Sequence, residues 1–203
     1  MAGGAMNGIQ KTRLSAALLL AALTFTGCSK PQEMPPLAGA AIGGPFQLTD
    51  QDGKAVTDRD FTGQYRIVYF GYSFCPDVCP VDLQHIAQGY AKFEKTDPSK
   101  AKKVRPIFIS VDPERDTPAV LKQYVAAFHP RLVGLTGTPD QLKAVAKAYG
   151  VYYQRRDVEG ASEYLMDHSR SAVLFGPDGS PIALIPQDQG ADAVAAELQR
   201  WVI

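Results

Sequence analysis

The sequence predicts a single α/β domain in which helices flank a central mixed β-sheet. Residues 66–73 (RIVYFGYS) and 104–111 (VRPIFISV) are continuous runs of β-branched and aromatic residues, which is typical of buried strands. From Val81 to Phe93, apolar residues recur at spacings of three and four, which indicates an amphipathic helix between these strands. Strands that alternate with helices in this way form a sheet with helices packed on its faces.

Turn and capping residues mark the other elements. The Asp52-Gly53 turn lies between two short strand-like runs and predicts an N-terminal β-hairpin. Two helices begin with a threonine cap followed by proline, at Thr117-Pro118 and at Thr138-Pro139, and Gly150 closes the second helix. A Pro-Asp-Gly turn at 177–179 predicts a hairpin within residues 171–185, and residues 190–202 predict an amphipathic terminal helix.

The N-terminal part of the chain predicts export. Lys11 and Arg13 precede an apolar run over 14–25 that ends in small residues, which is the pattern of a signal peptide, here residues 1–27. The run is shorter than the roughly 20 residues that a membrane-spanning helix needs. The sequence FTGCSK resembles the lipobox of bacterial lipoproteins, although Phe25 replaces the more common leucine, and this resemblance implies that Cys28 is lipidated and becomes the mature N-terminus.

The segment after Cys28 predicts a tether. Residues 28–44 are rich in proline, glycine and alanine and have no usable periodicity, so we expect the folded domain to occupy residues 45–203. The chain has 21 basic and 21 acidic residues, and this balance argues against nucleic acid as a partner.

Two cysteines remain for chemistry if Cys28 carries lipid. Cys75 and Cys79 lie in YFGYSFCPDVCPVDL, residues 69–83. An oxidising compartment would turn an unprotected thiol pair into a disulfide, so a functional pair must either cycle or hold a metal. Residues four apart on a helix share one face, with about 5–6 Å between their Cβ atoms, so both sulfurs can reach one ion. We also expect the helix N-terminus to favour the thiolate form.

A metal site here needs a further ligand. Thiolates suit Cu(I), zinc or iron–sulfur centres, and two cysteines cannot complete a zinc site. His168, in the loop DHSRS before the strand at 171–175, is the candidate third ligand. We interpret His85 as a partly exposed helix residue, and His129 as a structural residue that caps carbonyls at a helix end. Asp77 either orients His168 or a partner, or simply favours the helix dipole.

The three acidic residues of DPERDT, which are Asp112, Glu114 and Asp116, resemble a carboxylate cluster. Pro113 and the Thr117 cap are typical of a loop between a strand and a helix, so we interpret the cluster as structural.

The order of elements resembles the thioredoxin fold, and four segments resemble a narrower group. FGYSFCPDVCP, SVDPERDTP, LVGLTGTPDQLKAVAKAYGVYY and DHSRSAVLFGPDG together resemble the Sco/SenC family, copper chaperones for assembly of cytochrome c oxidase. This resemblance implies a thioredoxin-like fold that binds one copper ion, Cu(I) or Cu(II), through Cys75, Cys79 and His168. It also implies a membrane tether on the periplasmic side of a bacterial membrane, delivery to the binuclear copper site of oxidase subunit II, and an upstream copper donor or thiol reductase.

Other functions use the same cysteines. A thiol–disulfide oxidoreductase is the main alternative, with the cysteines of the oxidase copper site or of other exported proteins as targets. The three residues between Cys75 and Cys79, and the missing proline in DHSRS, argue against it. A peroxidase would need a proton acceptor and a cationic clamp beside one thiol, and YSFCPD supplies neither. A purely structural disulfide would leave the position of His168 unexplained.

Overall fold

The computed structural model describes residues 33–157, 159 and 163–203, and the central sheet is built entirely within them. The predicted signal peptide over 1–27 and the predicted lipidation site at Cys28 lie outside these residues. The strands are β1 (Gln47–Asp50), β2 (Ala55–Thr57), β3 (Tyr65–Gly71), β4 (Val104–Ser110), β5 (Val133–Thr136), β6 (Tyr153–Arg156), β7 (Leu165–His168), β8 (Ala172–Phe175) and β9 (Pro181–Ile185). The helices are α1 (Val78–Thr96), α2 (Pro98–Ala101), α3 (Pro118–Ala126), α4 (Pro139–Ala148) and α5 (Ala191–Trp201).

The central sheet is mixed, as predicted. Its strand order is β2-β1-β5-β4-β3-β8-β9. Strand β4 pairs in parallel with both β3 and β5, whereas β8 runs antiparallel to β3 and β9 antiparallel to β8. The predicted N-terminal hairpin, β1 with β2, joins the sheet through an antiparallel pairing of β1 with β5.

The predicted core strands, β3 and β4, are buried because both of their faces are covered by other parts of the protein. All seven residues of β3 are buried, and α1 packs its apolar side against the core through Leu83, Ile86, Tyr90 and Phe93. Val81, where the helical pattern was predicted to start, is instead 50% exposed. No helix within the described part of the chain is both long and apolar enough to cross a bilayer.

The predicted helix starts are confirmed. Thr117 accepts a hydrogen bond from the backbone N–H of Val120, and Thr138 accepts one from that of Gln141, with proline next in both helices. Gly150 has φ +66°, a conformation that a β-carbon disfavours, so glycine suits the end of α4.

The folded part of the chain starts earlier than predicted. The compact unit runs from Pro35 to Ile203, so it includes residues 35–44 that the composition assigned to the tether. The N–H of Leu37 donates to the carbonyl of Ile182 in β9, and Leu37 and Ile42 pack against the core. Isolated apolar residues such as Leu37 and Ile42 form no periodic pattern in the sequence. The hydrogen-bond partner of Leu37, Ile182, lies far away along the chain.

Two strands of the structure, β5 and β7, were not predicted from the sequence. Strand β5 has only four residues and was not predicted between its flanking helices. Strand β7 is also new, because DHSRS was predicted as a loop leading to β8. Strands β6 and β7 instead form a separate antiparallel hairpin in which Tyr153 pairs with His168.

Candidate metal centre

The two cysteines lie where β3 gives way to α1. Helix α1 begins at Val78, so Cys79 lies in its first turn and Cys75 lies in the preceding loop. Pro76 and Pro80 are each acceptable in the first turn of a helix, and Pro76 lies before the start of α1. Pro80 lies in the first turn, where a backbone N–H would have no intrahelical partner, so the helix loses no hydrogen bond there.

Three donor atoms converge at this point. His168 is the last residue of β7, and its Nε2 lies 3.0 Å from Sγ of Cys79. The N–H of Cys79 donates to Sγ of Cys75 at 3.5 Å, and both cysteines are free thiols. The two sulfurs and the histidine nitrogen all lie within 4.8 Å of one another. The fold therefore brings the three predicted ligands together, although Cys79 and His168 are 89 residues apart along the chain.

The imidazole of His168 is held in one tautomer. Its Nδ1 lies 3.0 Å from the carbonyl oxygen of Ser169. A carbonyl only accepts, so Nδ1 carries the proton and Nε2 presents its lone pair to Cys79. The rings of Tyr69 and Tyr72 stand nearly perpendicular to the imidazole, with centroids 6.3 and 5.9 Å away. A histidine that donates its second ring nitrogen to a carbonyl is typical of a metal ligand.

Burial controls the protonation of His168 and Cys79. It lowers the pKa of His168, which keeps the imidazole neutral and able to donate its lone pair. Burial, together with the neighbouring Cys75, raises the pKa of the fully buried Cys79. The N–H of Tyr72 opposes this rise. For Cys79 in the metal-free protein, desolvation therefore outweighs the helix dipole that was expected to favour the thiolate form.

Gly71, at the end of β3, leaves room for the Cys79 sulfur. A β-carbon at this position would lie 3.0 Å from Sγ of Cys79 and 3.0 Å from a ring carbon of Phe108. The ring of Phe108 is packed in the core and cannot move away freely. A side chain at residue 71 would therefore force the Cys79 sulfur or a neighbouring ring to shift by a few tenths of an ångström.

Comparison with known proteins agrees with this geometry. The SCO1/SenC family model matches residues 34–203. The chain belongs to the SCO1/SenC family. The mitochondrial protein SCO2 of Saccharomyces cerevisiae is 42% identical over 167 residues, which cover 80% of this chain and 54% of that protein. Protein SenC of Rhodobacter capsulatus is 42% identical over 158 residues, or 78% of this chain and 69% of that protein.

Solved structures give the same assignment. The structure of Bradyrhizobium japonicum ScoI with copper bound is 44% identical, has a TM-score of 0.71, and is matched over 79% of this chain and 99% of that one. BsSco, a member of the Sco family of cytochrome c oxidase assembly proteins, and a thioredoxin domain from Bacteroides vulgatus are 23% and 17% identical and share the fold. The fold is therefore thioredoxin-like. The chain spans about half the length of the curated mitochondrial relatives from yeast, Arabidopsis and human (54%, 48% and 52%).

A half-buried ion pair lies beside the site of this SCO1/SenC protein. Asp82, on α1 and 1% exposed, accepts two hydrogen bonds from Arg170, at 2.8 and 3.1 Å, and one from the hydroxyl of Tyr69 at 2.9 Å. Arg170 follows His168 by two positions, so the pair attaches the segment after His168 to the helix that carries Cys79. Neither Asp82 nor Arg170 was predicted. An aspartate next to Leu83 on the apolar side of a helix is a signal that could have identified the first.

Asp77 does not orient His168 in this structure. It is exposed at the N-cap position of α1 and makes no side-chain capping bond, and the histidine uses the carbonyl of Ser169 instead. Contact of Asp77 with a partner stays a prediction.

The two other histidines lie outside the site, as predicted. His85 is half-buried, with Nδ1 2.7 Å from the carbonyl of Gln187. His129 packs edge-on against Tyr90 with ring centroids 4.9 Å apart. Its Nδ1 accepts the N–H of Arg131. The predicted capping of helix carbonyls by His129 is therefore wrong, since this nitrogen accepts and does not donate.

The acidic residues of DPERDT are structural, as predicted. Asp112 and Asp116 are buried and hydrogen-bonded, whereas Glu114 is 71% exposed. Within the described residues, the group of three that could hold a metal ion is Cys75, Cys79 and His168, with no carboxylate among them.

Proposed function

We propose that this SCO1/SenC protein is a copper chaperone that holds one copper ion between Cys75, Cys79 and His168. The observation that carries the proposal is the convergence of two thiols and one imidazole nitrogen within 4.8 Å. Two soft sulfur donors suit Cu(I), and an added imidazole makes Cu(II) tolerable. The copper-bound ScoI at 44% identity supports copper over other soft metals.

The exposures of the ligands suit delivery. Cys79 is buried, while Cys75 is partly exposed and borders the exposed Pro76 and Phe74. An incoming thiolate can therefore replace Cys75 on the copper first, and a second one then replaces Cys79. Each Cu–S bond that breaks is replaced by one to the acceptor, and the copper keeps its oxidation state.

The acceptor we propose is the binuclear copper site of cytochrome c oxidase subunit II. The description of BsSco as an oxidase assembly protein supports this class of target. We further propose an exported, periplasmic location, with the chain anchored to a bacterial membrane by lipid on Cys28. An upstream copper donor reloads the site.

A thiol–disulfide reductase is the second candidate. A partly exposed Cys75 beside a buried Cys79 resembles a pair of attacking and resolving thiols. The pair would reduce a target disulfide to two thiols and itself become a disulfide, which an external thiol reductase would then reduce. Both proposed activities would use the same two sulfurs, those of Cys75 and Cys79.

Copper loading and transfer separate the two functions. We expect the reduced protein to bind about one equivalent of Cu(I) and to pass it to the copper-free, reduced binuclear copper domain of subunit II. A His168→Ala protein should bind Cu(II) more weakly than the wild type. Copper that is never transferred, together with rapid reduction of an oxidised form of the same domain, would favour the reductase and contradict the chaperone.

Copper affinity is expected to rise with pH. Burial raises the pKa of Cys79, so this group is a thiol at neutral pH and copper binding must release its proton. One displaced proton changes the affinity by about tenfold per pH unit, so between about pH 6 and 8 we expect a rise of at least about 100-fold. His168, with its lowered pKa, does not compete in this range. Competition titrations with a chelator corrected for its own protonation measure the slope.

The raised pKa of Cys79 also predicts how the stability of the copper-free protein depends on pH. The unfolded thiol ionises at a lower pH than the folded one, so the folded state binds more protons in alkaline solution. The contribution of the Cys79 thiol to the free energy of unfolding is fully present below the pKa that this thiol has in the unfolded chain. That contribution is lost as the pH rises through the higher pKa of the folded state. A copper affinity independent of pH would show that no ligand loses a proton on binding, which would contradict the raised pKa of Cys79.

A further inference from the structure

The hairpin that carries His168 needs support from outside the central sheet. Among the strands of the described residues, β6 and β7 pair only with each other. One end, after His168, is attached through Arg170 and Asp82. The other end begins at Tyr164, directly before β7, and contacts the DPERD loop, residues 112–116.

Arg115 of the DPERD loop joins that end of the hairpin to the core. Its Nε lies 2.6 Å from a carboxylate oxygen of Asp112, and its Nη1 donates to the backbone carbonyl of Tyr164 at 3.0 Å. The Tyr164 hydroxyl donates to the other oxygen of Asp112 at 2.7 Å. The side chains of Arg115 and Asp112 are only 13% and 2% exposed, so these bonds are little screened by water.

The same guanidinium also contacts the loop that carries Cys75. Its central carbon lies 3.6 Å from the ring centroid of Tyr164, 5.0 Å from that of Phe74 and 5.6 Å from that of Tyr72. Phe74 directly precedes Cys75. One guanidinium, on a side chain that is 13% exposed, therefore contacts the residues directly before Cys75 and before β7, the strand that ends in His168.

The DPERD loop is itself firmly placed. The carboxylate of Asp116 accepts the N–H of Ser73 at 3.0 Å and the hydroxyl of Ser110 at 2.5 Å. Ser110 ends β4, and Ser73 lies two residues before Cys75. Arg115 thus projects from a loop that is tied to the central sheet.

We propose that Arg115 is a positioning residue for the metal centre, which sets the position of His168 relative to Cys75 by clamping Tyr164 against Asp112 and Phe74. This inference rests on the proposed copper function. It gives the DPERDT motif a role in the site, although none of its residues contacts the donor atoms. Loss of a residue that orients a metal ligand typically lowers metal affinity about 10–100-fold.

The chain offers a matched control in Arg155. Its guanidinium lies 3.8 Å from the same Tyr164 ring centroid, but its side chain is 49% exposed. Its carboxylate partners, Glu114 and Asp157, are 71% and 78% exposed. Arg155 thus repeats the stacking contact without the buried pairing to Asp112 or the contact with Phe74.

The test is a double-mutant cycle on the full chain with His168→Ala. Cu(II) affinity and the Cu(II) absorption and paramagnetic resonance spectra are measured for Arg115→Met, Tyr164→Leu and Arg155→Met. We expect Arg115→Met and Tyr164→Leu to weaken Cu(II) binding at least about tenfold and to move the spectra toward those of His168→Ala. In the His168→Ala background the same changes should alter the affinity less than about twofold. Arg155→Met should match the wild type in both backgrounds.

Equal losses in both backgrounds would overturn the inference, as would unchanged Cu(II) affinity and spectra in folded Arg115→Met protein. Thermal unfolding of the copper-free variants shows which are folded. Tyr164→Leu, which keeps the Arg115–Asp112 pair, decides the question if Arg115→Met does not fold. A His168→Ala change that leaves copper binding unaltered would instead contradict the proposed function.

Discussion

Replacing Cys79 by serine is expected to remove tight Cu(I) binding while leaving the fold intact. The sulfur is fully buried between His168 and the end of β3, and the described residues offer no cysteine besides Cys75 that could replace it. A serine hydroxyl is smaller and can still donate to Nε2 of His168, so the packing survives. A hydroxyl is a poor ligand for a soft cation. We expect the Cu(I) affinity to fall by more than about 100-fold, the upper end of the cost of losing an outer partner.

Asp77→Asn is the control for this change. Asp77 lies between the two cysteines in sequence but is exposed, and it makes no capping bond. Competition with a Cu(I) chelator measures both variants, and circular dichroism checks the fold. A Cys79→Ser protein that still binds Cu(I) as tightly as the wild type would mean that the metal is held elsewhere, and the proposed centre would be wrong.

Replacing Asp82 by alanine is expected to destabilise the protein by about 2–3 kcal/mol. The change leaves the hydroxyl of the fully buried Tyr69 without its acceptor, which costs about 1–3 kcal/mol, and opens a small cavity. Arg170 is 48% exposed, so its own interaction with Asp82 is screened and water can take it up again. For a domain of this size, the melting temperature should fall by roughly 4–12 °C.

Two variants test the origin of this effect. Asp82→Asn keeps an acceptor for Tyr69 and should be the milder change. Asp192→Ala removes the acid of an exposed pair with Lys92, in which the aspartate is 91% exposed, and should change the stability little. Denaturant unfolding compares the three. If Asp82→Ala were no less stable than Asp192→Ala, the buried network would not contribute to the fold.

Local patterns in the sequence were sufficient for most elements. Threonine caps followed by proline marked the starts of α3 and α4, and a Pro-Asp-Gly turn marked the hairpin of β8 and β9, because these signals act within a few residues. Strand β7 was missed because it pairs with β6 in a separate two-stranded sheet and has only one buried residue, Met166, so it shows no alternating core pattern. The start of the domain at Pro35 was missed because Leu37 is ordered by Ile182, far along the chain.

The sequence by itself determined the ligand types, the spacing of Cys75 and Cys79, and the choice of His168 among three histidines. Only the tertiary structure decided the protonation of Cys79 and the attachments of His168. A helix terminus near a cysteine predicts a thiolate, but complete burial, which depends on Gly71, His168 and the packed aromatic rings around them, raises its pKa instead. Arg115 looks like an ordinary charged residue in the sequence, and Asp82 differs from one only by its position on the apolar side of α1. Their roles arise because folding removes them from water beside partners that no local pattern identifies.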